Sequence, residues 1–158
     1  MAQRLRLIIA LGLLAVVVAG TGTVAADDGP RKILDTRLVG VPNPPVTVVA
    51  VNGAGAAWTT QNSKAKLFAD GTLDLDIDNL VFLTGPNAGR NTVALGRATV
   101  VCNGNADPAT DRVDSDPIAF SVPEGDAHFN AVLPLPSPCF APVVFFTNVN
   151  GNWFAVSG

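Results

Sequence analysis

The chain has 158 residues, ten basic and thirteen acidic, for a net charge of −3. Its lysines and arginines are scattered, with no basic stripe and no aromatic interleaving, so the composition argues against a nucleic-acid partner. The length suits one domain with a real core.

Arg4 and Arg6, the apolar run Leu7–Ala19 and the small residues Thr23-Val24-Ala25-Ala26 together read as an export signal over residues 1–26. The run is shorter than the ~20 residues a spanning helix needs, so the reading is a cleaved signal, with no membrane span in the mature chain. Cleavage after Ala26 leaves a secreted chain, extracellular or periplasmic, with eight basic residues against thirteen acidic ones. Twelve of those acids are aspartate and only Glu124 is glutamate, a bias toward turns and strand ends over helices.

Residues 27–45, DDGPRKILDTRLVGVPNPP, show little periodicity and read as an N-terminal tether to a single domain over 46–158. VTVVAV (Val46–Val51) is a β-branched run suited to one buried strand, followed by a small-residue turn before Trp58. Trp58 and Trp153 read as core or rim packing.

The clearest pattern is KAKLFADGTLDLDIDNLVFL, Lys64–Leu83. Leu73, Leu75 and Ile77 alternate with Asp74, Asp76 and Asp78, the period of a half-buried strand. A three-residue loop Ala69-Asp70-Gly71 sets Leu67 opposite Leu73, Lys66 opposite Asp74, Ala65 opposite Leu75 and Lys64 opposite Asp76. A two-residue turn would instead oppose leucine to aspartate, so the longer loop is preferred. The three aspartates superficially resemble a calcium loop. Asn79 and Gly85 stand where that loop needs Gly and Glu, so they read as a solvated face.

After a Gly/Pro/Asn-rich loop comes the strand Thr92–Cys102, where a bulge at Gly96 would turn Val93 and Leu95 inward with Ala98, Val100 and Cys102. Residues Asn103–Asp116 form a polar connection. Its Asp107, Asp111, Asp114 and Asp116 are weak calcium candidates on a loop that reads first as solubilising.

A second hairpin, Pro117–Leu133, turns around Glu124-Gly125. It is expected to set Val122 opposite Ala127, Phe120 opposite Phe129 and Ile118 opposite Ala131, with Ser121 opposite His128 and Asp126 beside it. On paper Ser121, His128 and Asp126 make a hydrolase triad, but no GxSxG and no oxyanion donors accompany them, and the trio reads as a pairing coincidence. The last hairpin, Val143–Val149 and Asn152–Val156, is marked by Asn150-Gly151.

In an exported chain the only two cysteines, Cys102 and Cys139, read as a disulfide. Seven to eight short strands with turns about every ten residues imply an all-β, two-sheet antiparallel sandwich of Greek-key, immunoglobulin-like kind. One His and no mature Met leave no copper site, and nothing calls for a cofactor.

The segments Gly96-Arg97-Ala98-Thr99-Val100-Val101-Cys102, Pro138-Cys139 and Asn150-Gly151-Asn152-Trp153-Phe154-Ala155-Val156 together resemble small uncharacterised exported bacterial proteins with no assigned activity. The resemblance implies export and a compact β-domain.

The functional expectation is a non-enzymatic binding or structural module whose partner is an extracellular protein or glycan. The alternative is an extracellular, glycan-directed hydrolase with paired carboxylates near Glu124 and Asp126.

Overall fold

A computed structural model describes residues 29–104, 107 and 110–158. The signal segment 1–26 and its cleavage point lie outside the described residues. The chain forms β1 (Lys32–Gly40), β2 (Thr47–Val48), β3 (Val51–Asn52), β4 (Trp58–Thr59), β5 (Lys64–Phe68), β6 (Thr72–Ile77) and β7 (Val81–Phe82). It continues with β8 (Leu95–Val101), β9 (Arg112–Asp114), β10 (Ile118–Ala119), β11 (Ala127–Val132), β12 (Val143–Asn148) and β13 (Trp153–Ser157). No helix occurs among the described residues.

One curled antiparallel sheet, a half-barrel, runs β10-β8-β12-β13-β1-β5-β6-β11, with β9 also on β8. Two small sheets, β2-β3 and β4-β7, flank it. The joint is β1. Residues 32–37 pair with β5, and Leu38–Gly40 pair with β13. The expected tether is thus corrected: from Lys32 it is the longest strand. Its weak alternation follows from this change of neighbour partway along.

The β5–β6 hairpin has the register expected for it, Lys64↔Asp76, Ala65↔Leu75, Lys66↔Asp74 and Leu67↔Leu73. Gly71 holds φ at +89°, the left-handed position of the three-residue loop, and its N–H donates to Phe68 C=O at 3.0 Å. Asp70 Oδ1 accepts the Thr72 N–H at 2.9 Å. Ala65, Leu67, Leu73, Leu75 and Ile77 are buried, while the lysines and aspartates face out with Nζ–Oδ2 distances of 3.5 Å (Lys66–Asp74) and 3.8 Å (Lys64–Asp76).

The Asn150-Gly151 hairpin also forms. Its loop closes between Asn148 and Asn152, and only Gly151 has positive φ, so it uses the same three-residue geometry as Ala69-Asp70-Gly71. Cys102 and Cys139 are bonded, pinning the proline-rich run 134–138 to the end of β8.

Three expectations are corrected. Val46–Val51 is not one strand; it folds back at Val49-Ala50, both at positive φ (38° and 62°), to pair Thr47↔Asn52 and Val48↔Val51. No bulge forms at Gly96. The β8–β12 register is unbroken from Val101 to Gly96, and Leu95 stays 48% exposed. Finally, Pro117–Leu133 is not a hairpin beyond its turn, because β10 pairs with β8 and β11 pairs with β6.

Behind these strands lies an aromatic core. Trp58 meets Phe82 at 4.1 Å and Phe154 at 4.5 Å between ring centroids, and Phe120 meets Phe146 edge-on at 5.0 Å. Strands β8, β12 and β13 are buried along successive residues, so both their faces are covered. One cover is the β2–β3 arm, tied to β13 through the Gly53–Trp153 bridge and the Ala54 N–H to Trp153 C=O bond of 2.8 Å.

Candidate functional site

The half-barrel does not close. Its two end strands, β10 and β11, leave one loop together and part to opposite ends of the sheet. The loop is held hard. Ser121 N–H donates to Asp126 C=O and Asp126 N–H to Ser121 Oγ, each at 2.8 Å, and Gly125 N–H donates to Ser121 C=O at 3.1 Å. Buried Asn91 donates through Nδ2 to Ser121 C=O at 2.6 Å. From the β6 side, Leu80 N–H donates to Gly125 C=O at 2.8 Å and Asn79 N–H to Asp126 Oδ1 at 2.9 Å. These last two bonds draw β11 toward β6 and away from β10.

The seam that results is a groove of about 510 Å³. Asp76, Ser121, Asp126 and His128 line its polar side, and Phe120, Ala94, Ala119 and Ala127 its apolar side. Phe120 is buried and packs edge-on against Phe146. His128 stands opposite Asp76 in the ladder, with Nδ1 to Oδ1 at 4.0 Å and both side chains well exposed.

Ser121, Asp126 and His128 therefore come to one groove, but not as a relay. Ser121 Oγ accepts the Asp126 backbone N–H, Asp126 Oδ1 accepts from Asn79, and His128 faces Asp76. That arrangement lines the groove with two carboxylates, a hydroxyl and an imidazole over an aromatic floor. Glu124 sits in the loop, where its carbonyl accepts Asn79 Nδ2 at 3.4 Å, and its side chain is not in the groove lining. In the sequence Asp76 stands only within a calcium-like run that reads as a solvated face, and Phe120 only as an apolar partner of Phe129. They reach the groove only through long-range pairing, for which no local signal exists.

The acidic connection is organised by its own neighbours. Asp114 accepts Thr99 Oγ1 at 2.5 Å and Arg112 Nε at 3.1 Å. Asp111 accepts Asn103 Nδ2 at 2.8 Å and Thr110 Oγ1 at 2.9 Å. The Asp107 carbonyl caps the turn by accepting the Asp111 and Arg112 N–H groups, and the Asp116 carbonyl accepts Ser115 Oγ. No three acidic, histidine or cysteine side chains gather as a metal cluster among the described residues. Trp58 and Trp153 are both buried. Trp58 backs an apolar groove of about 480 Å³ with Phe82 and Phe154, rimmed by exposed Leu95 and Val149.

Asp35 is held below the ordinary aspartate range by the 2.6 Å hydrogen bond from Lys32 Nζ. It lies on β1, away from the seam. No helix among the described residues is long and apolar enough to cross a membrane.

No family model, no curated protein and no solved structure matches this chain.

Proposed function

We propose that the chain is an exported, non-enzymatic binding module whose contact surface is the β10–β11 seam and whose partner is an extracellular protein or glycan. The observation that carries this reading is the seam itself: a preformed groove of about 510 Å³ with an aromatic floor and a few convergent polar groups. That is the usual make-up of a recognition site. Export is supported by the Cys102–Cys139 disulfide, which persists in an oxidising compartment, and by the resemblance to small exported bacterial proteins. We read the two leaves joined at β1 as an immunoglobulin-like, Greek-key sandwich whose open seam leaves the groove accessible.

Binding of purified protein to immobilised extracellular protein and glycan panels tests the proposal. Ligand capture that is lost on Ser121→Leu or His128→Leu, with melting temperature retained, supports it. Capture unchanged by both substitutions places the contact surface elsewhere.

A second reading has one observation in its favour. Asp76 and Asp126 line the same groove, so a glycan-directed hydrolase would draw its carboxylates from this pair rather than from Glu124. Reducing-sugar release from a glycan panel, abolished by Asp126→Asn, would establish it.

A further inference from the structure

We infer that the free edge of β11 takes up an extended, cationic polypeptide segment as an added β-strand; this deepens the reading of the seam as the binding surface. The argument starts from parity. Leu133 N–H donates to Gly71 C=O at 2.9 Å, which continues the β6–β11 ladder one residue beyond Val132↔Thr72. In an antiparallel pair alternate residues bond to one side, so Ala127, Phe129 and Ala131 turn their backbone groups to β6. Asp126, His128, Asn130 and Val132 turn theirs outward. Asp126 confirms the alternation, since both its backbone groups are taken by Ser121. Beyond it no strand pairs with the outer side of β11 among the described residues, although β10 stands close by across the seam.

An edge of this kind is normally blunted by proline, lysine or a bulge. The opposite end of the sheet is so protected, because Asp116-Pro117 interrupts it between β9 and β10. Strand β11 contains none of these devices. Its six-residue register with β6 is unbroken, and Val132 is 66% exposed. The edge has the form of a template for main-chain recognition.

The side-chain chemistry selects the occupant. On the outer face, Asp74 and Asp76 stand beside Asn130 and His128, and Asp126 closes the end of the groove. Strand β5 already meets the same aspartates from the far side of β6 with Lys64 and Lys66 outward and Ala65 and Leu67 inward. An added strand of the same alternation would reach the carboxylates with its cations. Asp74 and Asp76 lie about two strand spacings from it, roughly 9.5 Å, within the combined reach of an arginine or lysine and an aspartate. Its inward residues would cover half-buried Phe129 and exposed Ala131. A second copy of the chain fits less well. Its own β11 offers no lysine or arginine, and the whole chain is net negative.

The probe is a fluorescein-labelled nonapeptide, Thr-Lys-Val-Lys-Val-Lys-Val-Lys-Thr, titrated by anisotropy against the purified protein. Saturable binding is expected, weakened about tenfold or more when Glu replaces Lys, when the edge-facing amides of the peptide are N-methylated, or in Asp76→Asn/Asp126→Asn protein. Asn130→Pro, which removes an outward N–H, should act likewise, and the N-methylated peptide makes the same test without altering the protein. Equal affinity for the N-methylated or the Glu peptide overturns strand addition, as does no binding. A dimer in sedimentation that Asn130→Pro dissolves would give the edge to a second copy and also overturns it. Glycan or protein capture that needs Ser121 while the peptide fails would leave the seam a binding surface and remove only this occupant.

Discussion

The ring of Phe146 lies on Gly96. A Cβ built at that glycine would stand 2.2 Å from Phe146 Cζ, so the glycine is the space into which the aromatic side chain packs. The same ring meets Phe120 edge-on beneath the seam, which ties this packing to the shape of the groove.

Gly96→Ala is therefore expected to destabilise by about 1–3 kcal/mol through overpacking. Phe146→Leu in the same chain should recover part of that loss, giving a favourable coupling in a double-mutant cycle of urea melts. Additive losses would show that the ring can move aside.

Leu73 and Leu67 are fully buried partners across the β5–β6 ladder. Leu73→Ala should cost about 2–5 kcal/mol. Asp74→Ala should change stability by well under about 1 kcal/mol, because its ion pair with Lys66 is partly solvated and screened. Gly71→Val should destabilise strongly, since it combines a positive φ with a Cβ placed 2.1 Å from the Leu133 carbonyl oxygen. Urea denaturation of the three variants checks the order.

Much of the fold was legible from local pattern, and the losses have a common cause. The β5–β6 hairpin was readable because one face is buried and the other charged, so a slip of one residue would have been visible in sequence. Asn150-Gly151 and the cysteine pair were readable for equally local reasons. Strand β1 was not, because it serves two neighbours and shows no single clean period. Val46–Val51 misled because β-branched residues favour extended chain, yet Val49 and Ala50 take left-handed backbone. The pairing of β11 was lost because a neighbouring alternating segment is the default partner. The deciding bonds, Leu80 to Gly125 and Asn79 to Asp126, span about 45 residues. Ser121, Asp126 and His128 could thus be picked out in sequence, but Asp76 and Phe120 could not be joined to them.

Ala50 is exposed at φ 62°, a region that costs a side-chain-bearing residue roughly 1–2 kcal/mol. Glycine relieves that cost and gives some of it back as unfolded-chain entropy. Ala50→Gly should accordingly leave stability unchanged or raise it by up to about 1 kcal/mol. A clear loss in the thermal melt would mean the β2–β3 turn is not held in this conformation.

Asp35 bears on acid stability. Its carboxyl is lowered by the Lys32 hydrogen bond, so its contribution is whole above the ordinary aspartate value of 3.8 and fades as pH falls through the lower folded value. The difference in urea midpoint between the native chain and Asp35→Asn should therefore be present at neutral pH and vanish at the acid end. A difference that grows on acidification would contradict the assignment.

The open edge is tested most directly by residue-resolved amide hydrogen exchange on the free protein. Phe129 and Ala131, bonded to β6, should exchange slowly, while His128, Asn130 and Val132 exchange at rates close to those of exposed chain. Slow exchange at all five amides would show that the outer side of β11 is already occupied, and would contradict the open edge on which strand addition rests.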